Sequence, residues 1–177
     1  MVAATVVIGG PGICFSAAHA GMHNGVLEPL HGHTYQVTLR VHGSVSVDGM
    51  VVDFDVVKPA LRAAIRPLHR RTLVAGHCPG ALVEQTGDTV RITAGGRRYE
   101  LPATDVVVLP ITNTSTEELA TYVLGVVMDG LSEAGIGGAE LELAESPGTS
   151  ALVHTRSRAE GCAGTSGDDR ADAEVAR

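Results

Sequence analysis

The clearest pattern in the chain is an alternation. In HTYQVTLRVHG, Tyr35, Val37, Leu39 and Val41 take every second position, with Thr34, Gln36, Thr38 and Arg40 between them. A period of two describes a strand with one buried face. Upstream, residues 4–20 carry β-branched runs and predict a first strand. Residues 21–30 (GMHNGVLEPL) hold Gly, Asn and Pro and predict a loop. Asp48-Gly49 is a turn signal. From Asp53 the period changes: Val56, Val57, Ala60, Leu61, Ala64, Ile65 and Leu68 mark one helical face. Pro59 falls near the first turn, where proline is tolerated.

Residues 74–110 are less regular. TVRITAGGRRYELP reads as a hairpin turning at Gly95-Gly96, and DVVVLPI as a short apolar strand. Ser115, with Glu118 three residues later, opens a second helix as a possible capping box. Leu119, Val123, Val126 and Val127 give that helix its apolar face, and Gly130 stands near its end. AELELAES alternates again, and SALVHTR can pair with it across Pro147-Gly148. Residues 158–177 lack large apolar side chains except Val175 and predict a disordered tail. The resulting order is ββ-α-α-ββ plus a β-rich insert. It predicts an α+β fold in one domain over residues 1–157, with an antiparallel four-stranded sheet and both helices on one face.

Composition narrows the partners. A chain of 177 residues suits one domain, and 44% hydrophobic residues supply a core. Net charge is -7 without a basic run, which argues against nucleic acid or an anionic membrane. No stretch has the length and continuity of a membrane span. The apolar start, MVAATVVIGGPGICFSAAHA, lacks a basic leader region and is read as strand rather than signal. Cys14, Cys78 and Cys162 form no C-x-x-C pair. Neither a disulfide framework nor a cysteine-rich zinc site is expected, and a reducing cytoplasm fits best.

His19, His31 and His33 are the candidate chemistry. Side chains two apart on a strand project from one face, so His31 and His33 can reach one point. An antiparallel return could bring His19 opposite them. Three neutral imidazoles would leave a fourth zinc position open for water or substrate. An H-x-H pair alone is weak, and such histidines are more often ordinary surface or cap residues.

The surrounding text changes that weighting. CFSAAH at 14–19, LHGHTY at 30–35, GMVVDF at 49–54, TSTEELATYV at 114–123 and LELAES ending at Ser146 occur in order. Together they resemble the 6-pyruvoyl-tetrahydropterin synthase-like family, which includes the 6-carboxy-tetrahydropterin synthases, over roughly residues 5–157. The resemblance implies the tunnelling fold, in which sheets of a trimer or hexamer join into a barrel with active sites at subunit interfaces. It implies Zn2+ on His19, His31 and His33, and a small-molecule pterin as substrate. Glu145 matches the glutamate that binds the pterin's guanidine-like edge, where a carboxylate can accept two N–H bonds. Ser115, Thr116 and Glu117 match the segment lining that pocket, although a carboxylate at Glu117 also suits any helix N-terminus. Asp53 is read as structural, at a helix start.

Two departures bear on the chemistry. The synthases proper carry a cysteine shortly before the first His of H-G-H; here that loop holds Glu28 instead. This resembles a glutamate-for-cysteine branch that cleaves a dihydroneopterin-type side chain to 6-hydroxymethyl-7,8-dihydropterin. The family's catalytic Asp-His pair is replaced by PLHRRTLV, which keeps His69 but no aspartate. His69 is either a proton shuttle or a histidine at a helix end, and His77 is a lesser substitute. His23, His42 and His154 are taken as surface residues. The expected activity is that of a zinc-dependent carbon–oxygen or carbon–carbon lyase acting on a reduced pterin side chain, with Glu28 and His69 catalytic. The alternatives are a 6-carboxy-5,6,7,8-tetrahydropterin synthase of 7-deazapurine biosynthesis and a pterin-binding homologue without turnover.

Overall fold

The computed structural model describes residues 2–131 and 136–155, so the expected tail at 158–177 lies outside the described residues. In chain order the elements are β1 (Ala3–Ile8), β2 (Cys14–His19), β3 (Met22–His23), β4 (Val26–Leu27), β5 (His31–Ser44) and α1 (Phe54–Ile65). After a short 3-10 turn (Arg66–Leu68) come β6 (Arg71–Ala75), β7 (Ala81–Thr86), β8 (Thr89–Ala94), β9 (Arg97–Pro102) and β10 (Val106–Leu109). The chain continues with α2 (Thr116–Gly130), β11 (Gly138–Ser146) and β12 (Thr149–His154).

The alternating segment forms β5, the spine of the sheet. It pairs antiparallel with β1 and β2 on one side and with β11 on the other. β1 and β2 lie end to end along it, with Ile8 opposite Leu39 and Cys14 opposite Gln36. The single strand expected over residues 4–20 is therefore two. The break is local: Gly10 sits at φ 106°, and Ile13 N–H turns back to Gly10 O at 3.0 Å. Pro11 has no N–H to give to a ladder.

The sheet has seven strands, in the order β10-β6-β2-β5-β11-β12 with β1 also on β5. It is mixed rather than purely antiparallel: β6 runs parallel to β2, and β10 parallel to β6. Of the two strands added to the expected four, VVVL is the short apolar strand read in DVVVLPI, now found in the main sheet, whereas RTLVA at 71–75 was not read as a strand. Short apolar runs carry no period, which is how strands of parallel pairs read in sequence. Between them, β7, β8 and β9 form a separate three-stranded sheet. The hairpin expected there is present, with Gly95 and Gly96 at φ 54° and 80°.

Both helices cover one face of the large sheet. Val57, Leu61, Ala64 and Ile65 of α1 and Leu119, Ala120, Val123, Leu124 and Val127 of α2 join a single core. Phe15, Tyr35, Val37, Leu39, Val41, Leu141 and Leu143 meet them from the sheet. The opposite face is polar, with Arg40 paired to Glu142 at 2.7 Å and Ser16 to Thr34 at 2.9 Å. Asp53 caps α1 by accepting from Asp55 N–H at 2.8 Å. Ser115 caps α2 by accepting from Glu118 N–H at 3.4 Å. Glu118 does not complete the reciprocal box. Its carboxylate accepts from the backbone N–H of Thr112 at 2.8 Å and from the Thr112 hydroxyl. Among the described residues no helix is long and apolar enough to cross a membrane.

Candidate metal centre and active site

The β2–β5 register sets His19 directly opposite His31, and His33 opposite Ala17. Alternation puts all three imidazoles on the helix-covered face at one end of the sheet. Ring centroids are 4.5 Å apart for His19 and His31, 5.3 Å for His19 and His33, and 4.9 Å for His31 and His33. One ligand nitrogen from each lies within 4.8 Å of the others. Gly32, between the two β5 histidines, faces the other way. A Cβ there would stand 3.1 Å from Ala17 O, so a side chain would press β2 away from β5.

The nitrogen donors are arranged for a cation. His31 Nδ1 lies 2.8 Å from Pro29 O. A carbonyl only accepts, so Nδ1 donates its proton and Nε2 carries the lone pair. His19 Nδ1 contacts Thr114 Oγ1 at 3.2 Å, while its Nε2 is buried without any partner. An orphaned buried ring nitrogen is uncommon, and a bound cation would satisfy it. Burial, then the neighbouring His31 and His33, holds His19 below the usual imidazole pKa, which favours its neutral, ligating form. The residues present therefore fit a metal ion.

The carboxylates share the same cleft, which encloses about 360 Å³. Glu28 enters from the loop between β4 and β5, its N–H donating to Gly21 O at 2.9 Å. Its carboxylate lies over Gly21, where a Cβ would stand 3.2 Å from Oε2. Glu145, near the end of β11, accepts from the Thr116 hydroxyl at 2.7 Å. Ser115, Thr116 and Glu117 line the cleft as the start of α2. Beneath the histidines, Tyr35 is fully buried, its ring centroid 6.2 Å from His19 and 5.6 Å from His33. Burial, and next the charge of Glu145, raises its hydroxyl pKa, so it stays neutral.

His69 does not join this group within one copy of the chain. It is exposed at the end of the 3-10 turn, and its Nδ1 accepts from Ser16 N–H at 3.1 Å. The next residue, Arg70, has φ 59° and donates its N–H to Ser16 O at 2.6 Å. His77 is exposed and also lies outside the cleft lining. His23, taken as a surface residue, is exposed yet lines the mouth. Asn113 and Thr114 were not singled out as site residues, although Thr114 opens the TSTEELATYV motif. Asn113 Oδ1 accepts from Met22 N–H at 2.8 Å, and its Nδ2 donates to Met22 O at 3.0 Å, fixing one end of the Glu28 loop. The polar run NTST before α2 was the available signal.

Comparison with known proteins identifies the family and the fold. The family model described as 6-pyruvoyl tetrahydropterin synthase matches residues 13–156. A candidate 6-carboxy-5,6,7,8-tetrahydropterin synthase of Methanocaldococcus jannaschii is 27% identical over 125 residues, covering 70% of this chain and 77% of that protein. The solved 6-pyruvoyl tetrahydropterin synthase of Plasmodium falciparum superposes with a TM-score of 0.82 at 31% identity, covering 86% of this chain and 98% of that one. The Plasmodium vivax enzyme gives 0.83 at 29%, covering 88% and 99%. It has also been solved as catalytic-residue mutants, with a glutamate replaced by alanine or by cysteine. The fold is thus the tunnelling fold of these proteins, and the chain belongs to the 6-pyruvoyl tetrahydropterin synthase family.

Proposed function

We propose that the protein is a zinc-dependent lyase acting on the side chain of a reduced pterin, 7,8-dihydroneopterin triphosphate or a close relative. The observation that carries the proposal is Glu28 lining one cleft with three converging imidazoles and Glu145. A zinc ion on His19, His31 and His33 supplies Lewis acidity toward a side-chain oxygen. Glu145 accepts the paired N–H groups of the pterin edge, and the Thr116 hydroxyl holds its carboxylate in place. Glu28 takes the proton as general base. Removal from the hydroxyl on the second side-chain carbon breaks its bond to the first by retro-aldol cleavage: the outer fragment leaves as an aldehyde, and the inner carbon, its electron pair delocalised into the pterin ring, takes up a proton to give 6-hydroxymethyl-7,8-dihydropterin. The Plasmodium vivax relative, with a glutamate named as its catalytic residue, supports a carboxylate in this role.

A second reading, a 6-carboxy-5,6,7,8-tetrahydropterin synthase, is favoured by the Methanocaldococcus jannaschii relative. Incubating metal-loaded protein with 7,8-dihydroneopterin triphosphate separates the two. A 6-hydroxymethyl product is expected. A carboxy product replaces the first reading with the second, a pyruvoyl product points to a synthase proper, and tight binding without product supports a homologue that only binds. Glu28→Ala should lower the rate roughly 10²–10⁴-fold; an unchanged rate removes Glu28 from the mechanism.

His69 is kept as a catalytic candidate only through a second copy of the chain, since it does not line the cleft of its own copy. We therefore propose a homo-oligomer, a trimer or hexamer, with sites between copies. The free thiols of Cys14 and Cys78 suit a reducing cytoplasm.

A further inference from the structure

The three-stranded sheet β7-β8-β9 contributes no side chain to the cleft, yet it touches the loop that carries Glu28. Tyr99, on β9, accepts a hydrogen bond from Leu30 N–H at 3.2 Å through its hydroxyl. Leu30 lies two residues beyond Glu28 and directly before His31. Leu27, on the other side of Glu28, is 4% exposed. It lines an apolar pocket together with Tyr99, Ile92 and Leu73. The β8–β9 turn closes over the same strand: a Cβ on Gly95 would lie 3.6 Å from Leu27 N. Glu28 is therefore flanked by two anchor points, Leu27 and Leu30, and both rest on the small sheet. Asn113 holds the start of the loop from the opposite side.

We propose that the small sheet is a brace for the Glu28 loop, with Tyr99 as a positioning residue that fixes the carboxylate relative to the histidines. The inference rests on the reading of Glu28 as general base. Tyr99 touches neither the histidines nor the pterin-facing residues, so its effect passes through the Leu30 amide. Displacement of a reacting group by an ångström costs up to about a hundredfold in rate. Substrate held by Glu145 and the α2 N-terminus is not affected by that displacement, so binding and turnover should separate.

The test is Tyr99→Phe in the full chain, which keeps the ring and its packing but removes the acceptor. Two measurements are made: steady-state turnover of the pterin substrate, and amide hydrogen exchange of the native protein. We expect exchange over residues 26–31 to quicken by about tenfold or more, with exchange in α1 and α2 unchanged. We expect kcat to fall about tenfold at constant KM and constant bound metal. Unchanged exchange over 26–31 would overturn the brace. So would quickened exchange with unchanged kcat, a rise in KM alone, or loss of metal, which would move the effect to His31. If the unaltered protein turns over no pterin, the lyase reading fails separately, and the exchange measurement still decides whether Tyr99 holds the loop.

Discussion

At the residue scale, the site depends on which ring nitrogens are occupied. The Nδ1 proton of His31 is committed to Pro29 O, and His19 Nδ1 to the Thr114 hydroxyl. Both rings thereby present Nε2 inward. His31→Ala removes one of three donors and should abolish stoichiometric zinc, measured by elemental analysis of the dialysed protein; full retention would count against the ligand set. His19 gives a pH dependence. Burial, then two neighbouring imidazoles, places its native pKa below the ordinary 6.5. The unfolded chain therefore binds a proton there that the native chain resists. Stability of the metal-free protein is whole above pH 6.5 and declines as pH falls from 6.5 through the lowered native value, as denaturant titrations across that range should show. The three histidines, Glu28 and Glu145 now line one cleft, and each could be picked out as a candidate because it sits in a short motif. Thr114, Asn113 and Tyr99 were not. Their partners lie 95, 91 and 69 residues away in sequence, and even a polar run such as NTST does not name its partner.

At the element scale, helix α2 delivers much of one wall of the cleft through its first turn. Ser115 caps it, Thr116 holds Glu145, and Glu118 ties the helix back to Thr112. Ser115→Ala should cost about 1 kcal/mol of stability, read as a shift in the denaturation midpoint at constant slope. A much larger loss would mean that Ser115 does more than cap. Both helices and β5 were readable because a buried stripe or an alternating face repeats over many residues. The division of the first strand was missed because Gly9–Gly12 is only a short interruption in an apolar run. The pairing of β6 and β10 escaped for a different reason: four- or five-residue apolar runs fit several neighbours equally well.

At the scale of the whole molecule, the large sheet ends at β10 and β12, and among the described residues each of these, like β1, has one edge without a partner strand in a single copy. Sheet edges of this kind are covered by association or protected by other means. In the proposed oligomer, His69 of one copy would serve the cleft of another, which a mixing experiment tests. If His69→Ala lowers the rate as Glu28→Ala does, mixing the two proteins should then restore roughly a quarter of native activity, since a random pair of copies supplies both intact residues that often. No recovery after subunit exchange would place His69 outside the reaction.

The long spine β5 has one more consequence. Its pairing with β1, β2 and β11 sets a single register from His31 to Ser44. A slip of one residue would turn both of its imidazoles to the polar face and leave His19 without companions. In the proposed metal centre, ion uptake would thus act as a checksum on strand alignment: during refolding it should emerge only once the sheet has zipped correctly, and a misaligned chain would be recognisable as one that cannot capture the ion.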